Sequence, residues 1–155
     1  MSAKRPAGRT QMTVQAIKDG TVIDHIPSAY TIKVVELLSG LDDEVTIGIN
    51  FPSATMKQKG VVKIAKKVLT KKEVNKIAIF APDATVNIIK NYKVLRKQRV
   101  ELPKELRGIT KCSNPACITN HEPVETRFYP TSDAPARLRC HHCERLMPIE
   151  DVQIL

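Results

Sequence analysis

The sequence predicts an α+β fold in two parts. The first is a two-layer sandwich, an antiparallel sheet with two helices on one face. The second is a small all-β region built around cysteines. Three observations lead there. Short β-rich runs are interrupted twice by helical periodicity before residue 103. All four cysteines come after residue 111, in two close pairs. Pro103, in VELPKEL, breaks the chain between the two regimes. The chain has 155 residues, with no Trp, three Tyr and three Phe, so its core must be aliphatic.

Each element has a local cause. Residues 1–10, MSAKRPAGRT, read as a basic, disordered arm. Met12–Ile17 alternates in part and reads as a strand, followed by an Asp19-Gly20 hairpin signal. Thr21–Ile26 is a second β-rich run, stopped by Pro27. Ser28 is placed to cap a helix whose apolar residues Ile32, Val35 and Leu38 lead to Gly40. Val45–Phe51 reads as a strand ended by Pro52, and 52–60 as a polar loop. Val61–Val68 reads as a strand, in which Val62 and Ile64 alternate with Lys63. Thr70 and Glu73 form a capping box for a helix that stops before Pro82. Thr85–Ile89 and Tyr92–Val100 are strands joined near Lys90-Asn91. The order β-β-α-β-β-α-β-β gives a two-layer sandwich of ferredoxin-like kind over residues 11–102. Residues 103–155 hold only short β pieces, at Ile109, Thr126–Tyr129, Arg137–Arg139 and Val152–Leu155.

The cysteine spacing is Cys112-x4-Cys117, then 22 residues, then Cys140-x2-Cys143. Two close pairs brought together by a loop suit a tetrahedral zinc site, one ion per chain. The alternative is two disulfides. The absence of a readable secretory signal, which points to a reducing cytoplasm, favours the metal. Four thiolates leave no open position, so the site is expected to be structural. His121, His141 and His142 are then surface or supporting groups. A region of this size buries little apolar surface, and the metal supplies the missing stabilisation.

Charge is uneven. Residues 1–110 carry twenty Lys and Arg against ten acids, and residues 111–155 five against six. The positive potential belongs to the first part and suggests an anionic partner. Composition alone also fits a zinc-ribbon nucleic-acid-binding protein. Against that stand a cysteine region that is not basic and a shortage of aromatic stacking groups. No stretch is long and apolar enough for a membrane span. There is no phosphate-binding Gly-rich loop, dinucleotide fingerprint or nucleophile elbow, so no catalytic set emerges. The polar candidates are Asp24-His25, Lys59 with Lys63, and Tyr92 with Lys97.

Several longer segments narrow this. AIKDGTVIDHIP at 16–27, TIGINFPS at 46–53, APDATVNIIKNYKV at 81–94 and the four-cysteine framework resemble the aspartate carbamoyltransferase regulatory chain family, in that family's order. The resemblance runs from about Val14 to Gln153. It implies a non-catalytic subunit that binds CTP, ATP and UTP through its first domain and adjusts a catalytic chain in pyrimidine synthesis. It also implies a structural zinc domain that docks on the catalytic chain, and a homodimer of regulatory chains paired through their first domains. Neither nucleic acid nor membrane is an expected partner.

By position, Lys97 and His25 face the triphosphate with Lys59 nearby, while Lys63 and Asp24 hold the ribose. Ala16, Ile17, Tyr92 and Val94 meet the base. Gln15 stands near it where the family has an acid. Val14, Val22, Val61, Thr85 and Asn87 line the rest. Cations and an imidazole suit a polyanion, and backbone groups can tell an amino group from a carbonyl. Arg96 departs from a small residue and is expected to add charge beside Lys97. Asn114 and Glu144 match residues that contact the catalytic chain, whereas Ala116 departs from a second asparagine.

Overall fold

The computed structural model describes residues 16–155. The basic arm, most of the strand expected at Met12–Ile17, and Val14 and Gln15 lie outside the described residues.

The first part contains β1 (Gly20–Ile26), α1 (Thr31–Glu36), β2 (Val45–Ser53), β3 (Lys57–Ala65), α2 (Lys71–Phe80), β4 (Thr85–Lys90) and β5 (Lys93–Arg99). The sheet order is β2-β3-β1-β4-β5, with every neighbouring pair antiparallel. Over the described residues the order is β-α-β-β-α-β-β, the expected order without its first strand, and it forms a two-layer sandwich with β5 on one edge. Thr21 and Ile23 of β1 pair with Ile64 and Val62 of β3, and all four are buried on the helix face. Ile26, Val34, Ile77, Ala78 and Val100 complete that core. Gly60 permits the close approach of α1: a Cβ there would stand 1.9 Å from Thr31 Oγ1.

Several elements differ from expectation, among them α1, which ends at Glu36 rather than at Gly40, and β3, which ends at Ala65 rather than at Val68. Ser28 does not cap α1. A short 3-10 turn, Ser28–Tyr30, intervenes after Pro27, and the Ser28 hydroxyl instead accepts from the Asn50 N–H at 3.2 Å. Pro52 does not end β2, because β2 is an edge strand and a proline facing outward loses no ladder bond there. The expected loop at 52–60 is mostly hairpin, with β3 starting at Lys57.

The capping box of α2 is formed as expected. Thr70 Oγ1 accepts from the Glu73 N–H at 3.2 Å, and Glu73 Oε2 accepts from the Thr70 N–H at 2.9 Å. Glu73 does more than cap. Its other oxygen lies 3.0 Å from Lys67 Nζ and also accepts from Ser39, tying the end of α1 to the start of α2.

The second part contains β6 (Leu106–Arg107), β7 (Thr110–Lys111), β8 (Arg127–Pro130), β9 (Leu138–Cys140), β10 (Leu146–Met147) and β11 (Gln153–Ile154). They form a four-stranded sheet, β10-β9-β8-β6, and a β11-β7 ladder. The two-residue strands β6 and β10 carry too little pattern to be read from sequence. Phe128, Leu106, Leu138 and Met147 fill the core beside the cysteines. Ile79 and Phe80, from the last turn of α2, enter this second core, with Tyr30 and Leu102 packed against it. Among the described residues no helix is long and apolar enough to cross a membrane.

Candidate functional sites: a four-sulfur cluster and an open sheet face

The four cysteines converge. All four Sγ atoms lie within 4.8 Å of one another, with Cys112–Cys143 at 3.7 Å and Cys117–Cys140 at 3.8 Å. These separations exceed a disulfide bond of about 2.05 Å, and all four cysteines are free. A tetrahedron with zinc–sulfur bonds of about 2.3 Å has edges of about 3.8 Å. The cluster thus has the size a zinc ion needs.

Two turns present the sulfurs. Cys140–Cys143 is closed by Glu144, whose N–H donates to the Cys140 carbonyl at 2.9 Å with φ of 62°. The Cys112–Cys117 turn is held by two asparagines. Asn114 Oδ1 accepts from the Ala116 N–H, while Asn120 Nδ2 donates to the Cys112 and Asn114 carbonyls at 3.0 and 2.8 Å. Asn120 was not singled out from sequence, where it is one polar residue in a loop. The Thr119 hydroxyl is 3.2 Å from Cys117 Sγ.

Burial pushes the Cys112 thiol up to about 12, against the opposing Asn114 N–H, and raises Cys140 as well. Burial acts the same way on Cys143, but the Asn114 side chain and the Arg145 N–H outweigh it and bring that thiol down to about 7. A divalent cation among the sulfurs would favour all four thiolates. The histidines stand aside from the cluster. His121 and His142 contact backbone carbonyls, and His141 contacts Tyr129 and Arg127.

The second site follows from strand register. Residues directly opposite in an antiparallel ladder share a face. Val22 pairs with Lys63 on one side and Asn87 on the other, and Asn87 pairs with Lys97. Asp24 pairs with Thr85, and Thr85 with Arg99. Val61 lies two residues from Lys63 on the same strand. Val22, Asp24, Val61, Lys63, Thr85, Asn87 and Lys97 therefore share the face of the sheet away from the helices. Arg99 joins them, although it was not among the sequence candidates. Arg96 does not. It pairs with Ile88, so the alternation of β5 sends it to the other face, away from Lys97.

At the far end of β1 a bulge gives His25 a φ of 59°. Its Nδ1 lies 3.2 Å from Thr85 Oγ1, and its N–H donates to Asp24 Oδ1 at 2.6 Å. Lys59 Nζ reaches Asp24 Oδ1 at 2.9 Å. Burial would raise the Asp24 pKa, but hydrogen bonds from Lys59 and the His25 N–H win and hold it below the usual carboxylate range. His25, Thr85 and Arg99 border a cleft of about 410 Å³.

Ala16 and Ile17 line a smaller cleft with Ala65, at the start of β1. Tyr92 joins that end, its N–H donating to the Lys18 carbonyl at 2.9 Å. Tyr92 sits in the β4–β5 turn rather than in a strand. Asn91 and Tyr92 have φ of 50° and 64°, the pattern of a type I′ hairpin turn. Val94 is exposed beside it, paired with Ile89. At ~3.3 Å rise per residue, Gly20 and His25 stand roughly 17 Å apart. The candidates thus form a strip along β1, with Asp24, His25 and Lys59 at one end, Lys63, Asn87 and Lys97 level with Val22 in the middle, and a tyrosine turn at the other end.

Comparison with known proteins agrees with this division. Residues 12–101 match the model of the aspartate carbamoyltransferase regulatory chain, allosteric domain, and residues 104–153 match the metal binding domain of the same chain. The aspartate carbamoyltransferase regulatory chain of Pyrococcus horikoshii is 51% identical over 146 residues, covering 92% of this chain and 96% of that one. That of Pyrococcus abyssi is 48% identical at the same coverage. That of Phocaeicola vulgatus is 43% identical over 155 residues, covering 98% and 99%. With both domain models matched in order and four clustered thiols in the metal-binding one, the chain belongs to the aspartate carbamoyltransferase regulatory chain family.

Proposed function

We propose that the chain binds nucleoside triphosphates, namely CTP, ATP and UTP, on the open face of the sheet and alters an aspartate carbamoyltransferase catalytic chain. The setting is de novo pyrimidine synthesis in the cytoplasm. Residues 11–102 form the nucleotide unit and residues 103–155 the docking unit. Cys112, Cys117, Cys140 and Cys143 hold one structural zinc ion, which shapes the surface that meets the catalytic chain. Pairs of regulatory chains associate through the first unit.

The observation that supports the nucleotide reading is the register. Seven sequence-derived candidates fall on one sheet face, which gathers three cationic or polar side chains, Lys63, Asn87 and Lys97, in one row beside Asp24. Lys97, His25 and Lys59 take the phosphates. Lys63 and Asp24 take the ribose, and Ala16, Ile17, Tyr92 and Val94 take the base. Val22, Val61, Thr85 and Asn87 form the floor. A carboxylate held ionised beside Lys59 accepts ribose hydroxyl protons in hydrogen bonds. The regulatory effect is a coupling free energy of about 1–3 kcal/mol between nucleotide and catalytic sites, carried by nucleotide affinity that differs between two quaternary states.

Calorimetric titration of the folded, zinc-loaded chain with CTP and with ATP tests this. Binding heat with at least one nucleotide is expected. No heat with either, on protein of intact circular dichroism, overturns the reading.

A further inference from the structure

The four sulfurs are not equivalent. Cys112, Cys117 and Cys140 are 3%, 1% and 0% exposed, whereas Cys143 is only partly buried. The short contacts divide the cluster into an inner pair, Cys117 with Cys140 at 3.8 Å, and an outer pair, Cys112 with Cys143 at 3.7 Å. Each pair takes one sulfur from each turn. The inner pair is enclosed: Phe128, Leu138 and Met147 belong to the same core, and the Thr119 hydroxyl stands 3.2 Å from Cys117 Sγ. Cys143 is the sulfur that a small solute meets from solvent.

Oxidation of a thiolate needs charge on sulfur, access for the oxidant and, for a reversible product, a second thiol close by. A metal held by four thiolates supplies the charge to all four sulfurs alike. Access singles out Cys143, and separation singles out Cys112 as its partner. We infer that Cys143 is a site of modification by peroxide, with Cys112 as the thiol that resolves it. The Cys143 sulfur attacks one peroxide oxygen, the O–O bond breaks, and hydroxide leaves, giving a sulfenic acid. Cys112 Sγ then attacks Cys143 Sγ, the S–O bond breaks, and a second hydroxide leaves. Two thiolates lose two electrons to become a disulfide, and peroxide gains them to become two hydroxides, which solvent protonates to water. The sulfurs close from 3.7 Å to about 2.05 Å.

This product differs from a disulfide within one turn. It fastens the two turns together but leaves only Cys117 and Cys140 for a metal, so the ion is released while the turns stay joined. Release of zinc rests on the zinc reading proposed above; the order in which the sulfurs react does not. Glu144 follows Cys143, and the Asn114 side chain contacts its sulfur. Both are expected at the catalytic chain, so the modification belongs to the unassembled chain. The oxidised chain then fails to dock until a thiol reductant and zinc restore it.

The test uses the full, zinc-loaded chain alone. Hydrogen peroxide is added in limiting amounts, zinc release is followed with a chromophoric chelator, and disulfides are mapped by mass spectrometry of the alkylated digest. Cys112–Cys143 is expected as the first disulfide, forming in step with zinc release and reversed by dithiothreitol with added zinc. Dimedone present during the reaction should label Cys143 ahead of the other three cysteines. Cys143→His keeps a metal-binding side chain and should slow zinc release about tenfold. A first disulfide that lacks Cys143, a first dimedone label on another cysteine, or no disulfide at all would sink the proposal. So would release from Cys143→His as fast as from the unaltered chain. A chain isolated without metal would overturn the zinc reading instead, and the disulfide map would still decide this one.

Discussion

The two parts of this chain hold their candidate sites by opposite means. In the second part four candidate ligands of one rare residue type sit on two tight turns, and the strands around them are two to four residues long. In the first part no short segment contains the site. Asp24, Lys63, Asn87 and Lys97 come from four strands and meet only because the register places them on one face. The first site depends on the sheet, whereas the second part depends on its site. Structure and site should therefore fail together in one part and separately in the other.

Metal removal is the strongest way to break this contrast. Structural zinc contributes apparent free energies of about 10–16 kcal/mol in zinc-dependent peptides. Chelation, or Cys140→Ala, should unfold residues 104–153 while the sheet of the first part survives. Hydrogen exchange checks this: β8 and β9 amides should lose protection, and β1 and β3 should keep theirs. The last turn of α2 should also loosen, because Ile79 and Phe80 belong to the second core. If β1 and β3 opened as well, the two parts would be one cooperative unit.

The buried carboxylate network tests the converse. Glu73→Ala removes the partner of Lys67, Ser39 and the Thr70 N–H together, and should cost the first part about 2–3 kcal/mol. Thermal unfolding of the metal-loaded chain measures it. Cadmium substituted at the thiolates should report an unchanged second part in the same sample.

Acid should separate the parts in order. Thiolate ligands compete with protons, so metal affinity falls as pH falls, and the second part should go first. In the first part burial would raise Asp24 and Glu73, but hydrogen bonds from Lys59 and from the Thr70 N–H hold both lower. A folded pKa below the unfolded value gives stability that is complete above the unfolded value, about 4, and is lost as pH falls through the folded one. The first part should thus keep its full stability down to about pH 5 and lose it progressively below. Far-UV circular dichroism against pH, with zinc release followed by a chromophoric chelator, would reveal two steps. A single coincident step would remove the distinction.

The same contrast explains what could be read in the sequence. The cysteines are chemically distinct and close together, so their spacing announced the cluster. The capping box of α2 was legible because Thr70 and Glu73 lie within one turn. Ser28 was misread as a cap because a 3-10 turn shifts the helix start and the Ser28 hydroxyl accepts from the distant Asn50 N–H instead. Pro52 was misread as a stop because nothing local says which strand will lie at an edge. Asn120 was missed because its targets are backbone carbonyls, which leave no trace in side-chain pattern. On the open face the polar candidates Asp24, His25, Lys59, Lys63 and Lys97 could be picked out from the residues, but their roles came only through resemblance, since a lysine in a strand ordinarily points to water and its partners are chosen by register.

Arg96 and Lys97 give the finest test of that last point. They are neighbours of like charge on one exposed edge strand, and any account based on local charge density treats them alike. Register separates them: Lys97 stands opposite Asn87 on the open face, and Arg96 stands opposite Ile88 on the other. A phosphate contact from a partly solvated lysine has the strength of a charge-assisted hydrogen bond. Its loss is worth about 1.5 kcal/mol, or roughly tenfold in affinity. Lys97→Ala should therefore weaken CTP or ATP binding about tenfold, and Arg96→Ala by less than about twofold. Both variants lower the net charge equally, so general attraction cancels in the comparison. Titration of the two at matched ionic strength measures the difference. Equal losses would mean that nucleotides respond to the overall field of the strand, and the open face would then have no special claim on them.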